Sequence, residues 1–189
     1  MARKQITGVS IQSDERDILN ENFIEVYGDT LSAGAGFKGT GGLYKTSVVK
    51  HGDIYKTTIL VDLTGAASST DEFDIIGTSG ASHIGQILAA KSGTLFFGQI
   101  TCLETPNGGV TDIDLYYANE ATGAFDGHIT ALTGEALMLA AGGAWSAALL
   151  PVAFTGLPVA NKYMYFTCGA GGTPGTYTAG QFLIEFWGY

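Results

Sequence analysis

The sequence predicts an all-β protein, a β-sandwich of jelly-roll or Greek-key type carrying one or two short helices. Three observations predict it. Apolar runs are short and rich in β-branched and aromatic residues, 28 glycines against 4 prolines break the 189-residue chain at close intervals, and strand-length patterns do not alternate with helix-length ones. Glycine at that level, without abundant proline, excludes collagen and Pro-rich linkers and assigns most glycines to turns. The absence of a fixed-period repeat disfavours propellers and solenoids, which leaves two packed sheets or a barrel.

In chain order, residues 1–22 read as an N-terminal arm with a short helix, and residues 23–189 as one β-sandwich domain. The arm carries Arg3 and Lys4 and too few apolar residues, Ile6, Val9 and Ile11, to form a core element alone. Such a segment gains most by pairing its backbone with the edge of a neighbouring sheet. Ser13 followed by Asp14 and Glu15 reads as a helix N-cap before Ile18. Strands are expected at residues 5–11, 23–27, 43–50, 54–63, 84–88, 94–103, 112–117, 148–154, 163–168 and 176–187. In 54–63, Tyr55, Thr57, Ile59, Val61 and Leu63 share one face and Lys56, Thr58 and Asp62 the other. In 112–117, Ile113, Leu115 and Tyr117 point one way, while Asp112, Asp114 and Tyr116 point to a face expected to be wet. A second helix is expected over residues 135–141, capped by Thr133 and ended by Gly142.

Nine basic residues against eighteen acidic ones give a net charge of -9, which suits a soluble surface and argues against a nucleic-acid phosphate binder. Lys162 is the one base after residue 91, so contact with an acidic partner would use the first half. Residues 136–160 are uncharged and long enough to span a bilayer, but Gly142, Gly143, Pro151, Gly156 and Pro158 interrupt them. Buried structure fits them better than a membrane span. Arg3 and Lys4 lead into no continuous apolar run, and no N-x-[ST] site occurs, so a secreted glycoprotein is not expected. Cys102 and Cys168 lack zinc-type spacing and read as buried free thiols.

No catalytic site, cofactor or metal is expected. Gly34-Ala-Gly-Phe-Lys-Gly39 has the form GxGxxG, but it leads into a turn and a strand, without the helix N-terminus that would hold a phosphate. Asp112 and Asp114, with Glu104 upstream, could gather round a hard cation, although a solvated strand face explains the same pattern. His51, His83 and His128 are scattered and match no catalytic motif. Tyr163, Tyr165, Phe166, Tyr177, Phe182, Phe186, Trp187 and Tyr189 crowd the last stretch, where core and subunit-interface packing is the expected use. The interface candidates are Arg3, Lys4, Ile6, Val9, Trp187 and Tyr189.

Several spaced blocks carry a resemblance: Asp74-Ile-Ile-Gly77, His83-Ile-Gly-Gln86, Ala89-Ala-Lys-Ser-Gly93, Thr101-Cys-Leu-Glu-Thr-Pro106, Asp112-Ile-Asp-Leu-Tyr116, and the ending from Tyr177 to Tyr189. Over residues 43–189 the chain resembles a family of small virion structural proteins of tailed bacteriophages infecting marine bacteria, many of them capsid-associated. Residues 136–148 depart from the more polar pattern expected of that family. The resemblance implies a non-enzymatic particle component made in the host cytoplasm. It would be a head decoration or cement protein on the capsid exterior, binding the major capsid protein and itself as a homotrimer, with neither nucleic acid nor membrane as partner. It supplies no ligand residues. The rival expectations are a tail-fibre or receptor-binding module holding host glycans, and a carbohydrate-active enzyme with two carboxylates across a cleft.

Overall fold

The computed structural model describes residues 30–38, 44–147 and 150–189, and shows an all-β architecture of antiparallel sheets. The strands are β1 (Tyr44–His51), β2 (Ile54–Asp62), β3 (Ala67–Ser68), β4 (Leu95–Asn107), β5 (Ile113–Ala118), β6 (Ala136–Leu139), β7 (Val152–Ala153), β8 (Tyr163–Cys168), β9 (Gly175–Thr176) and β10 (Ala179–Gly188). Two four-residue helices, α1 (Ala35–Lys38) and α2 (Ala89–Ser92), and a 3-10 turn at Ile129–Ala131 complete the described elements. The expected arm, its helix and the strands at 5–11 and 23–27 lie outside the described residues, as do Arg3, Lys4, Ile6 and Val9.

A five-stranded sheet runs in the order β1-β2-β10-β4-β7, a three-stranded sheet in the order β6-β5-β8, and β3 pairs with β9. The last strand, β10, lies at the centre of the larger sheet. Its alternation of buried and half-buried residues is complete over all ten positions, as a strand buried on one face requires. Phe182, Ile184 and Phe186 point inward with Ile59 and Val61 of β2 and Ile100 and Cys102 of β4. Leu115, Met164 and Phe166 of the smaller sheet belong to the same core, and the Phe166 and Phe182 rings meet at 5.4 Å between centroids.

The smaller sheet is covered on its other side as well. A second cluster of Ile75, Ala118, Ile129 and Tyr165 lies there, so β8 is buried from Met164 to Cys168. The strand expected at residues 84–88 is instead irregular extended chain: residues 73–87 run along β8 through isolated bridges, Ile75 to Thr167 and Gln86 to Tyr163. Backbone bonds Ile76 N–H to Phe166 O and Ile84 N–H to Met164 O hold it there, and the detour at 77–82 prevents a continuous ladder.

The helix expected at 135–141 is corrected to strand β6. Thr133 does not cap it, because the Glu120 carboxylate accepts both the Thr133 amide, at 2.8 Å, and its hydroxyl. Gly134, at φ 59, turns the chain so that Leu137 and Leu139 pair with Tyr116 and Leu115 of β5, burying Met138 and Leu139. Ala, Leu and Met favour helix intrinsically, and the burial offered by β5 outweighs that preference. No helix among the described residues is long and apolar enough to cross a membrane.

Candidate interaction surface

On β10, Leu183, Glu185 and Trp187 face away from the core. The register sets Leu60, Thr58 and Lys56 of β2 beside them on one side, and Thr101, Gln99 and Phe97 of β4 on the other. At one end the ladder slips: Trp187 stands opposite Phe97 but Gly188 opposite Leu95, so Phe96 is an extra residue on β4. Such a bulge re-aims side chains and strengthens the local twist. Here it leaves both phenylalanines in solvent, Phe96 51% and Phe97 40% exposed, with Tyr189 at 66%. Phe97 meets Trp187 at 5.2 Å and Phe96 meets Tyr189 at 6.1 Å between ring centroids.

The backbone beneath these rings is tied down. Thr94 and Tyr189 exchange N–H to carbonyl bonds of 2.8 and 3.1 Å. A Cβ on Gly188 would lie 2.0 Å from Ser92 O, so only glycine lets the strand end approach α2 this closely. Next to Thr94, a groove of about 280 Å³ lined by Leu95, Leu157, Pro158 and Val159 extends the apolar surface.

In the middle of the face, Lys56 Nζ lies 2.7 Å from Glu185 Oε1 and 5.3 Å from the Trp187 ring, and Gln99 Nε2 donates to Glu185 Oε2 at 2.8 Å. Burial pushes the Glu185 carboxyl up, but the Lys56 and Gln99 hydrogen bonds outweigh it and hold the group below its ordinary range. This charge pair is satisfied and locally neutral. It offers no general acid or base, and the surface as a whole suits adhesion through aromatic rings.

Of the interface candidates within the described residues, Trp187 and Tyr189 are brought together. Phe96 and Phe97 complete the set and were missed. Their signal was present in Leu95-Phe-Phe-Gly98, since two successive aromatics on one strand cannot both face a single core. Tyr165, Phe166, Tyr177, Phe182 and Phe186 are core residues.

The remaining motifs resolve separately. Contrary to expectation, the GxGxxG segment does contain a helix, α1, but its Gly34 and Gly36 amides donate to His83 O and Ala81 O at 2.9 and 2.7 Å. These donors are therefore engaged by protein and closed to a phosphate. A Cβ on Gly34 would lie 2.2 Å from Ala81 O, which is why glycine stands there. His83 packs edge-on against Tyr163 at 4.9 Å, whereas His51 and His128 are exposed. Cys102 and Cys168 are buried free thiols on different sheets.

The carboxylates part company. The Glu104 side chain accepts the Gly180 N–H at 3.0 Å in the five-stranded sheet and does not join Asp112 and Asp114. The face expected to be wet is not: Asp114 is only 6% exposed, because residues 72–76 and 140–141 fold over that side of β5. Among the described residues no three His, Cys, Asp or Glu side chains converge as metal ligands. No family model, no curated protein and no solved structure matches the chain.

Proposed function

We propose that this chain is a bacteriophage virion structural protein, a decoration or cement protein that binds the assembled head lattice and stabilises it. The observation that carries the reading is the exposed aromatic set Phe96, Phe97, Trp187 and Tyr189 on a braced strand end, with an apolar groove beside it. Contiguous apolar surface of this kind marks interaction sites. An acidic, glycine-rich β protein with a neutral, ring-lined face suits adhesion to a protein lattice, where binding to the assembled state stabilises that state by mass action. On this reading the five-stranded and three-stranded sheets are the two layers of a jelly-roll type sandwich. The major capsid protein is the partner, and a homotrimer is the working unit on the capsid exterior.

The test is to locate the chain in an electron-microscopy map of intact particles and count its copies. Hundreds of copies on the head support the reading, and absence from the head overturns it. A Phe97→Ser, Trp187→Ser variant should fold but bind empty heads roughly tenfold more weakly or worse, since truncating a buried aromatic anchor removes about 2 kcal/mol or more. A second reading, a tail-fibre module that holds glycans, is favoured by the Trp187 and Phe97 rings lying beside the polar Lys56, Glu185 and Gln99. It predicts only a few to tens of copies, on the tail.

A further inference from the structure

We propose that Asp112, Asp114 and Thr167 form a binding site for a hydrated divalent cation of the magnesium or calcium class. The site lies on the covered side of the three-stranded sheet, on the face opposite the one that joins the main core.

Asp112 directly precedes β5, where its carbonyl accepts the Gly169 N–H at 2.8 Å, and the register of β5 with β8 sets Thr167 directly opposite Asp114. Cross-strand partners project to the same side about 5 Å apart, so the Thr167 side chain shares the Asp114 face of the sheet. Gly169, two residues further along, lies over them: a Cβ added there would be 2.6 Å from Asp112 Oδ1 and 2.8 Å from Asp114 Oδ1. Both oxygens therefore converge on a spot that only a residue without a side chain leaves open.

The pairing of these groups is incomplete. Asp114 Oδ1 accepts the Ala141 N–H at 2.8 Å, but Asp112 Oδ1 and Thr167 Oγ1 are buried and have no hydrogen-bond partner among the described residues. Thr167 is fully buried, 0% exposed. No Lys or Arg among the described residues forms an ion pair with either aspartate. Burial raises the Asp114 carboxyl above its ordinary range, the Ala141 N–H lowers it in part, and the charges of Asp112 and Glu72 raise it further.

A trapped water would satisfy the hydroxyl and one carboxylate oxygen but would leave two like charges side by side in a poorly solvated place. A divalent cation satisfies the oxygens and cancels the charge together. Hard cations take oxygen ligands, and magnesium in particular keeps several waters while held by one or two carboxylates. That composition matches two aspartates and a hydroxyl, with the half-buried Asp112 giving access from solvent and the exposed Glu72 adding negative charge to the surroundings. The site is independent of the aromatic surface and of whatever that surface binds.

The full chain, freed of metal by chelation, is melted in magnesium chloride or calcium chloride at ionic strength matched with sodium chloride. A saturable rise in melting temperature is expected, half complete in roughly the 0.1–1 mM range given so few protein ligands. It should reach roughly 5 °C at a hundredfold excess over Kd. The relative size of the two responses says which ion the site prefers. Asp112→Asn should abolish the rise while melting no lower than the metal-free parent, and Thr167→Val should weaken it. Terbium luminescence excited through tyrosine gives a second readout that does not depend on stability, expected at one ion per chain and lost in Asp112→Asn. Absence of a saturable rise overturns the proposal, as does an undiminished rise in Asp112→Asn. Stabilisation by acid alone, without a divalent response, also overturns it, because the aspartates would then share a proton.

Discussion

The outer faces of the two larger sheets are built from the same antiparallel pairing and end in opposite states. On the five-stranded sheet, nothing described folds back over β10, and its outward residues Leu183, Glu185 and Trp187 stay half-buried, with the one charge pair, Lys56 with Glu185, fully bonded. On the three-stranded sheet, residues 73–76 and the 3-10 turn cover β8, and the side chains trapped beneath include Asp114 and Thr167. The open face presents aromatics that pair with one another in solvent, and the covered face encloses carboxylates that no Lys or Arg among the described residues pairs with. Connecting chain, not strand composition, decides which of these a sheet face becomes.

The largest expected effect tests what the two faces have in common. Phe182 points from β10 into the shared core, touching both Phe166 of β8 and Trp145, with ring centroids at 5.4 and 5.3 Å. Phe182→Ala should destabilise the protein by about 3–5 kcal/mol, and a single cooperative urea transition should move to lower midpoint. A split transition, with one sheet melting before the other, would break the picture of one core serving both sheets.

Next in size is a change on the covered face. Gly169→Ala pushes a methyl group into the Asp112 and Asp114 carboxylates, and overpacking of this kind costs about 1–3 kcal/mol. Denaturant melts of the metal-free protein check it. An equal loss from Gly171→Ala, an exposed position where the added methyl would come no nearer than 3.2 Å to Thr70 O, would show that Gly169 is not special.

The difference between the faces also explains what was legible in the sequence. The period-two pattern of residues 54–63 and 176–187 marks β2 and β10 because one side of each meets the core and the other does not. The same logic misleads on β5, where Asp112 and Asp114 alternate like a wet face but are roofed by residues more than 25 positions distant in the chain. Residues 135–141 read as helix because local propensity is all that a window of that length contains, and the pairing with β5 is a long-range fact. Trp187 and Tyr189 stand out in the sequence as interface candidates by bulk and position, whereas Leu95-Phe-Phe-Gly98 shows only that one of Phe96 and Phe97 must leave the core; that both do so depends on the bulge.

Acid titration should separate the faces by sign. Asp114 is raised above its ordinary value of 3.8, so the folded state binds its proton more tightly than the unfolded chain does. Its contribution to stability therefore improves as pH falls through the raised value toward 3.8. Glu185 is lowered from 4.5, so its stabilisation is present above 4.5 and is lost as pH falls through the lowered value. In metal-free melts, Asp114→Asn should be more stable than the parent near neutrality, with the gain fading in acid. Glu185→Gln should be less stable near neutrality, with the loss fading in acid. Differences of the same sign would contradict the contrast.

The smallest expected effect on stability falls at Trp187, and its smallness is informative. The indole is half-buried, with Phe97 at 5.2 Å and the Lys56 ammonium at 5.3 Å, and it makes no contact with the inner cluster that unites the sheets. Loss of an exposed aromatic pair and a solvated cation–π contact amounts to about 1 kcal/mol, far from the 3–5 kcal/mol of an inward aromatic such as Phe182. Trp187→Ala should therefore shift the urea midpoint only slightly while leaving the Thr94 to Tyr189 backbone bonds in place. A loss near that of Phe182→Ala would mean that the outer face is itself core, covered in solution by another chain. That outcome would be checked by sedimentation of the parent at rising concentration, and it would turn the open face into a second covered one.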